Sequence, residues 1–311
     1  MPKRLSVLTH LPLRFLPDAV ERFPDVEFIV IPREGELPPD VHGEVLFTNA
    51  HGAPNVPGVL QRGVRWIHTL GTGIDRFPRE GLAGKVMSCA RGGSGVPIAE
   101  WILAVMLAFE KDLPGSWRRE PPETWALANL GGLRGRTLGI VGFGGIGRET
   151  ARRALAFDMN VQATRRSDAP SEIPGVRISK LDETLASAHH LLLATPLTPR
   201  TRHLLGAAEL ARLPEGAHVI NVARGGLIDQ DALRAALDSG HIARASLDVC
   251  TPEPLPAGHW LYEHPRVRLS PHVSWSAPGH AQDLGERFLA NLRRYLDGQP
   301  LEGIVDLDEG Y

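Results

Sequence analysis

The chain has 311 residues, 42% of them hydrophobic and 23% charged, which is typical of a globular protein and long enough for two domains. Its formal net charge of -2 offers no basic surface for nucleic acid, and no apolar run is long enough for a membrane span. With only two cysteines and no signal-peptide pattern at the N-terminus, the sequence favours a reducing, cytoplasmic location without disulfides.

The chain begins with short apolar runs that alternate with segments containing proline and glycine, the pattern of a parallel α/β sheet. The predicted strands of this region are Leu5–Thr9, Val26–Ile31, Val45–Thr48, Trp66–Thr69 and Lys85–Ser88. Ile98–Phe109 follows them and is apolar on nearly every side. A helix of this kind must be buried on most sides, which predicts a place between domains or in a dimer interface.

A second alternating series begins after a loop that contains several prolines together with Trp117 and Trp125. The predicted strands of this series are Thr137–Val141, Asn160–Thr164, His190–Thr195, Ala217–Ala223, Ala243–Val249 and Val267–Ser270. The predicted helices are Ile146–Phe157, Asp229–Ser239 with Asp229 as its N-cap, and an amphipathic tail helix at Ala281–Leu296. We expect the tail helix to pack on the first domain.

A glycine-rich turn connects the first strand and helix of the second series. It comprises Gly142, Phe143, Gly144, Gly145, Ile146 and Gly147. This placement is the one that a dinucleotide phosphate site needs: Gly142 allows the tight turn, Gly144 lets the backbone approach the pyrophosphate, and Gly147 lets the helix pack on the strand. The alternative is an ordinary tight turn between a strand and a helix.

The residues after the next strand bear on which dinucleotide binds. NAD-preferring folds usually place an acidic residue there, bonded to the ribose 2′-hydroxyl. This chain has Arg165, Arg166 and Ser167 instead, and no acid before Asp168. Two cations and a hydroxyl suit a 2′-phosphate, which predicts a preference for NADP(H). The alternative is that the arginines are solvated loop charges and that the protein is indifferent to the phosphate.

Three residues of the C-terminal third carry the predicted chemistry. Arg224, Glu253 and His272 each lie where an apolar run meets a loop. Reduction of a 2-keto acid needs such a set, because the cation holds the substrate's oxygens, the imidazole donates a proton to the carbonyl oxygen, and the carboxylate orients the imidazole and favours its protonated form. Taken singly, each has a structural alternative: a surface arginine, a rigid turn between two prolines, or a loop histidine.

These residues occur in ordered motifs that resemble the D-isomer-specific 2-hydroxyacid dehydrogenase family. The motifs of the second series are Leu133–Gly142, Ala194–Thr201, Asn221–Gly226, Leu247–Pro254 and Ser270–His272. The first region matches less, through Gly71–Asp75 and Ile98–Glu100. The resemblance implies two Rossmann-like or flavodoxin-like parallel-sheet domains, with a dinucleotide-binding domain at residues 98–274 inserted into a substrate domain at residues 1–97 and 275–311.

The resemblance also implies roles for individual residues. Arg224 would bind the substrate carboxylate and keto oxygen, His272 would be the general acid in reduction, and Glu253 would pair with His272. Asp248 would hold the nicotinamide carboxamide. Further cofactor contacts are expected at Thr195, Pro196, Thr201 and Ala223, and substrate contacts at Gly71, Thr72 and Gly73. Members are commonly homodimers, and the activity implied is NADPH-dependent reduction of small 2-keto acids such as glyoxylate and hydroxypyruvate.

The chain departs from the family pattern before the long apolar helix, where Cys89–Pro97 has no asparagine but contains Arg91. Arg91 is a candidate second anion anchor, and Trp275 a candidate wall that favours a small substrate. His51 is a further candidate for substrate contact. The alternatives left open are an NAD-linked dehydrogenase of another 2-hydroxy acid or of phosphite, and a nucleotide-sensing, corepressor-like binding protein. The histidines lack the spacing of a metal site.

Overall fold

The computed structural model describes residues 4–113, 115–126, 128–167, 169–307 and 309–311, so Asp168 lies outside the described residues. The chain forms two compact units. Unit 1 comprises the residues up to Gly93 together with Ala277–Tyr311, and unit 2 comprises Ser94–Ser276. These limits lie close to the predicted domain boundaries, while the substrate-binding and cofactor-binding roles given to the two units stay predictions.

Unit 1 is built on a parallel sheet with the strand order β2-β1-β3-β4-β5. Its strands are β1 (Leu5–Thr9), β2 (Val26–Val30), β3 (Val45–Thr48), β4 (Trp66–Thr69) and β5 (Val86–Cys89). The five predicted strands are confirmed, with ends that differ by one residue at most. They were predictable because buried parallel strands form continuous apolar runs, and every residue of β3 and β4 is buried.

Unit 2 contains a parallel sheet with the strand order β12-β11-β10-β9-β6-β7-β8. Its strands are β6 (Thr137–Val141), β7 (Asn160–Thr164), β8 (Val176–Ile178), β9 (His190–Leu193), β10 (Ala217–Asn221), β11 (Ile242–Leu247) and β12 (Val267–Leu269). The predicted fold class, two parallel-sheet α/β domains, is confirmed. Since β6 lies between β7 and β9, the strand order reverses there, and ligands of open α/β sheets bind at such a switch point.

Two details of the predicted sheet were wrong. The strands predicted to reach Thr195, Ala223 and Val249 end at Leu193, Asn221 and Leu247, because the apolar run continues beyond the end of each strand into the loop. The three-residue strand β8 was not predicted, since so short a run gives no periodic signal.

The helices vary in length from single turns to seventeen residues. They are α1 (Ala19–Arg22), α2 (Val56–Leu60), α3 (Gly95–Glu110), α4 (Gly145–Leu155), α5 (Leu181–Ser187), α6 (Ala207–Leu210), α7 (Gln230–Asp238), α8 (Trp260–Glu263) and α9 (His280–Leu296). The tail helix α9 belongs to unit 1, as predicted, and its Phe288 ring lies 4.4 Å from that of Phe47 and 5.5 Å from that of Trp66. Asp229 caps α7, since its side chain accepts hydrogen bonds from Asp231 and Ala232.

The long apolar helix α3 buries one face, which includes Ile98, Ile102 and Met106. The face that carries Trp101 and Ala104 is only partly buried in a single chain. Among the described residues, no helix is long and apolar enough to cross a membrane.

Candidate active site

The glycine-rich turn follows β6 at the carboxyl edge of the unit 2 sheet. Gly142 has a φ of +102°, and a Cβ there would lie 2.6 Å from the carbonyl carbon of Ala194. A Cβ on Gly147 would lie 2.5 Å from the Gly142 oxygen, whereas one on Gly144 would meet no atom within 4 Å. Only glycine therefore fits at the turn and at the helix contact, and the open side at Gly144 and the amino end of α4 fit a pyrophosphate.

The neighbouring loop after β9 contains the predicted cofactor contacts Thr195, Pro196 and Thr201. The Thr201 hydroxyl donates a hydrogen bond to the Pro196 oxygen at 2.7 Å and accepts one from the Thr198 amide at 2.8 Å. The observed role of Thr201 is therefore to close this loop. Cofactor binding at Thr195, Pro196, Thr201 and Ala223 stays a prediction.

Arg165 and Arg166, the two arginines that follow β7, have different surroundings. Arg165 donates hydrogen bonds to the carbonyl oxygens of Ala169 at 2.7 Å and Pro170 at 2.9 Å, and it lies 3.5 Å from the Glu172 carboxylate. Glu172 also pairs with Arg148. A hydrogen bond from its own backbone amide and the charges of Arg148 and Arg165 lower the pKa of Glu172, so this carboxylate stays ionised.

These contacts tie the Arg165 guanidinium to the following loop segment, a role that its sequence context did not predict. The next two residues, Arg166 and Ser167, are exposed at the end of β7.

The buried side-chain amide of Asn221 stabilises the loop that carries Arg224. Asn221, the last residue of β10, accepts a hydrogen bond from the Ala223 amide at 3.0 Å and donates one to the Arg224 oxygen at 2.9 Å. Gly225 follows, and a Cβ there would lie 2.0 Å from the carbonyl carbon of Cys250. Because only glycine permits that approach, the arginine loop packs directly on the loop that leads to Glu253.

Asp248, the residue after β11, is buried and holds the segment around His272. One carboxylate oxygen accepts hydrogen bonds from the Ser270 hydroxyl at 2.5 Å and the Val273 amide at 2.9 Å, and the other accepts one from the Ser274 amide at 2.9 Å. The observed partners of Asp248 are therefore protein groups. The predicted contact of Asp248 with the nicotinamide carboxamide stays a prediction.

His272 and Glu253 form the pair that the sequence predicted. The Nδ1 atom of His272 lies 3.2 Å from Oε2 of Glu253, and the other carboxylate oxygen accepts a hydrogen bond from the Cys250 amide at 3.1 Å. His272 has a φ of +56°, an unusual conformation for a residue with a side chain. Its backbone amide donates a hydrogen bond to the backbone oxygen of Asp248. In the part of the chain that the structure describes, no group hydrogen-bonds to Nε2 of His272.

Trp275 lies three residues after His272, and its indole N–H donates a hydrogen bond to the His272 oxygen at 2.8 Å. The ring is 44% exposed, so it is anchored at one edge while much of its face is open to solvent. Contact of Trp275 with substrate stays a prediction.

In unit 1, Gly71, Thr72 and Gly73 follow β4 at the carboxyl edge of that sheet. The Thr69 hydroxyl donates a hydrogen bond to the Gly71 oxygen at 2.8 Å, and Thr72 is exposed. Arg91, considered above as an anion anchor, donates a hydrogen bond to the Ile304 oxygen at 2.9 Å and so fastens the C-terminal segment. Substrate contacts of the Gly71–Gly73 amides stay predictions.

The supporting roles of Asn221 and Ser270 were missed from the sequence. For Asn221 the available signal was a polar residue at the end of a mostly apolar, fully buried strand, where an unsatisfied polar group is costly. Ser270 is only partly buried and carried no such signal. Among the described residues, no group of three or more His, Cys, Asp or Glu side chains is arranged to hold a metal ion.

Residues 103–274 match the family model described as the NAD binding domain of D-isomer specific 2-hydroxyacid dehydrogenases. That region covers more than half of the chain and contains the glycine-rich turn, Arg224, Glu253 and His272. The chain therefore belongs to the D-isomer specific 2-hydroxyacid dehydrogenase family.

Individual relatives differ in the substrate that they are named for. The chain is 42% identical over 161 residues to 4-methyl-2-oxopentanoate reductase A of Aspergillus oryzae, covering 51% of this chain and 49% of the relative. It is 32% identical over 243 residues to D-3-phosphoglycerate dehydrogenase of Bacillus subtilis, covering 76% of this chain and 46% of the relative. This chain thus spans about half the length of these curated relatives.

The fold also matches solved structures along the full chain. An NADPH-dependent glyoxylate/hydroxypyruvate reductase from Sinorhizobium meliloti, in complex with NADP and sulfate, is 25% identical with a TM-score of 0.83. The match covers 99% of this chain and 100% of that chain.

Proposed function

We propose that this protein is an NADPH-dependent reductase of small 2-keto acids, glyoxylate and hydroxypyruvate, which forms D-2-hydroxy acids. The observation that carries the proposal is the 3.2 Å contact between His272 and Glu253, on loops at the same sheet edge as the glycine-rich turn. The full-length likeness to a glyoxylate/hydroxypyruvate reductase supports the choice of substrates. The D configuration of the product follows from the family.

His272 would be the proton donor in this reaction. Glu253 occupies the Nδ1 side of the ring, so Nε2 is the atom that would protonate the carbonyl oxygen. The adjacent carboxylate keeps the ring oriented for the transfer. NADPH, when bound, supplies the hydride that adds to the carbonyl carbon.

Arg224 would hold the substrate carboxylate and polarise the keto oxygen. A guanidinium suits this task because its planar donors match a carboxylate in a two-point arrangement. The hydrogen bond of Asn221 to the Arg224 oxygen and the contact of Gly225 with Cys250 fix the backbone of the loop that carries Arg224. The guanidinium therefore extends from a backbone held in a defined position. Amides of Gly71–Gly73 would add substrate contacts from unit 1.

The preference for NADPH rests on the segment after β7. Arg165 is bound to loop carbonyls and faces Glu172, so we assign direct contact with the 2′-phosphate to Arg166 and Ser167. Arg165 would contribute mainly by fixing the loop that presents them. The neighbour bound to NADP supports this cofactor for the fold.

A second candidate is reduction of a longer, branched 2-keto acid. The relative at 42% identity is named for 4-methyl-2-oxopentanoate, and its match covers about half of each chain. This candidate differs from the first in substrate size alone.

We further propose a homodimer in the cytoplasm. The partly exposed face of α3 and the exposed indoles of Trp117 and Trp125, at 70% and 80%, provide apolar surface for a second copy. Neither Cys89 nor Cys250 forms a disulfide, which fits a reducing compartment.

The proposal is tested by following the oxidation of NADPH and of NADH with glyoxylate, hydroxypyruvate, pyruvate and 4-methyl-2-oxopentanoate. We expect the highest kcat/KM with NADPH as the cofactor and with glyoxylate or hydroxypyruvate as the substrate. A higher value with 4-methyl-2-oxopentanoate would select the second candidate. Tight NADPH binding without turnover of any keto acid would contradict the reductase assignment.

A further inference from the structure

Gln230 is the first residue of α7. Both the oxygen and the nitrogen of its side-chain amide bind one residue of the loop that connects β11 to Glu253, hereafter the glutamate loop. Its Nε2 donates a hydrogen bond to the Thr251 oxygen at 2.8 Å, and its Oε1 accepts one from the Thr251 amide at 3.0 Å. Thr251 is exposed and lies outside the helices and strands. One side chain therefore replaces the two backbone partners that Thr251 would have in a regular element.

The residues next to Thr251 lead to the proton-transfer pair. The Cys250 amide donates to Oε1 of Glu253 at 3.1 Å, and Oε2 of Glu253 lies 3.2 Å from Nδ1 of His272. The Cys250 amide, which orients this carboxylate, precedes the Thr251 amide by one peptide unit, so a shift of Thr251 would displace it. The preceding residue of this loop, Cys250, lies in close backbone contact with Gly225.

Gln230 and Gly225 belong to one continuous stretch of chain that follows the arginine loop. That stretch therefore holds the glutamate loop at two consecutive residues, Cys250 and Thr251. The α7 helix does not need Gln230 for its own capping, because Asp229 accepts the hydrogen bonds from Asp231 and Ala232.

We infer that Gln230 is a positioning residue that keeps Glu253 in place against His272 through the backbone of Thr251. The inference rests on the proposed function, since it concerns the proton transfer assigned there to His272. Loss of the two hydrogen bonds lets the glutamate loop move, so Glu253 spends less time at the distance that orients the ring of His272.

The test compares two substitutions at this position. Gln230→Met keeps the length of the side chain and removes both hydrogen bonds. Gln230→Glu keeps an acceptor for the Thr251 amide but sets a carboxylate oxygen against the Thr251 oxygen, while an acid in the first turn of a helix suits the helix dipole. Gln282→Met in α9 of unit 1 is the matched control, because Gln282 is exposed and helical.

We expect Gln230→Met to lower kcat about tenfold, a small part of the ~10²–10⁴-fold that a positioned acid–base group contributes. The KM for the keto acid should change little, because the residue acts on the proton-transfer pair and not on substrate binding. Gln230→Glu should fall between this variant and the wild type, and Gln282→Met should match the wild type. An unchanged kcat in folded Gln230→Met protein would overturn the inference.

A readout without substrate separates this inference from the proposed function. Amide hydrogen exchange at Cys250 and Thr251 should be faster in Gln230→Met than in the wild type, with Tm within a few degrees and exchange in α9 unchanged. If the wild type turns over no keto acid, the proposed function fails, and unchanged exchange at these two amides would show that Gln230 does not hold the loop either. Faster exchange with unchanged kcat in an active enzyme would also contradict the positioning role.

Discussion

Among the described residues of unit 2, a histidine and a glutamate pair in two different surroundings. At the site, His272 and Glu253 lie 3.2 Å apart, with side chains 33% and 20% exposed. In the interior, Nε2 of His190 lies 3.0 Å from the Glu110 carboxylate, with side chains 0% and 5% exposed. The same two functional groups at nearly the same distance thus occur once at the surface and once in the core.

The interior pair continues into a buried chain of polar groups. His190 and His218 share a hydrogen bond between their Nδ1 atoms at 3.2 Å, and Nε2 of His218 lies 2.9 Å from the Ser246 hydroxyl. Burial, together with the charges of His190 and Arg244, lowers the pKa of His218 well below its usual value. Both nitrogens of His190 and of His218 are occupied, so these rings have no atom left for a substrate.

The carboxylate of Glu110 shows which effect dominates in the interior. Burial alone would raise the pKa of Glu110, but its hydrogen bond to His190, the charges of His190 and Arg136, and a bond from the Gly132 amide together lower it. The comparison teaches that a histidine–glutamate contact indicates catalysis only where one ring nitrogen remains accessible. Where both are engaged, the contact holds elements together.

The largest expected effect is loss of turnover at the exposed pair. We expect His272→Ala to lower kcat/KM for glyoxylate by about 10²–10⁴-fold, because the proton donor is removed. Steady-state assays with the His264→Ala protein as a histidine control will measure it, since His264 bonds to Asp238 away from the site. Equal turnover by wild type and His272→Ala would remove the distinction between the two pairs.

At the interior pair the expected loss is in stability. His190→Leu leaves the Glu110 carboxylate buried without its partner, which should lower the free energy of unfolding by about 3–5 kcal/mol. Urea unfolding gives this value, and kcat per folded molecule should stay near that of the wild type. The double variant Glu110→Gln with His190→Leu should lose less than His190→Leu alone, because no charge is left buried. A greater loss in the double variant would contradict this account.

A third histidine extends the comparison to burial without a carboxylate. Burial lowers the pKa of His68 to about 3, and His68 bonds to the Ser88 hydroxyl, which also accepts a hydrogen bond from the Trp66 indole. Below pH 6.5 the His68 side chain binds a proton in the unfolded chain but stays neutral in the folded chain. The free energy of unfolding should therefore fall as the pH drops from 6.5 toward 3, by roughly 1.4 kcal/mol per pH unit.

Urea unfolding at two pH values checks this sign. Between pH 6.5 and about one unit lower, the loss of stability should be smaller in His68→Leu than in the wild type. His10 acts in the same direction, since burial and the charge of Arg33 lower its pKa to about 4 despite the opposing hydrogen bond of Asn55. A steeper loss in His68→Leu would show that His68 is charged in the folded protein.

The smallest expected effect concerns the exposed acid near the predicted phosphate site. Glu172→Gln removes the carboxylate that faces Arg148 and Arg165, so more positive charge is available to the 2′-phosphate. We expect the KM for NADPH to fall about two- to threefold and the KM for NADH to stay constant, as suits a solvent-screened charge. Arg166→Ala should act in the opposite direction. A change for NADH of the same size would show that the loop, and not the phosphate charge, is affected.

The sheet and the pair at the site were predictable for different reasons. The strands could be found because parallel strands are buried on both faces, so that Val45–Thr48 and Trp66–Thr69 begin with large apolar residues and are buried throughout. His272 and Glu253 could be found because their motifs place them in loops that follow strands, and the structure brings the two together.

The remaining contacts depend on residues far apart in the chain. Glu110 and His190 are separated by 80 positions, and neither has a local pattern that indicates the other. Asp248 binds the segment around His272, and Arg165 binds the loop that follows β7. Both contacts also depend on the direction of the side chain in the folded protein. Sequence patterns identify which residues are polar at strand ends, but not which partners they choose.

The contact between Gly225 and Cys250 has a consequence for redesign of this protein. A library that varies the arginine loop and the glutamate loop separately would consist mostly of inactive clones, because any side chain at position 225 collides with the neighbouring loop backbone. The loops should be exchanged between homologues as one cassette, from Asn221 to Pro254. Under the proposed function, point diversity aimed at new substrates belongs at His51 and Thr72, which are exposed residues outside that cassette.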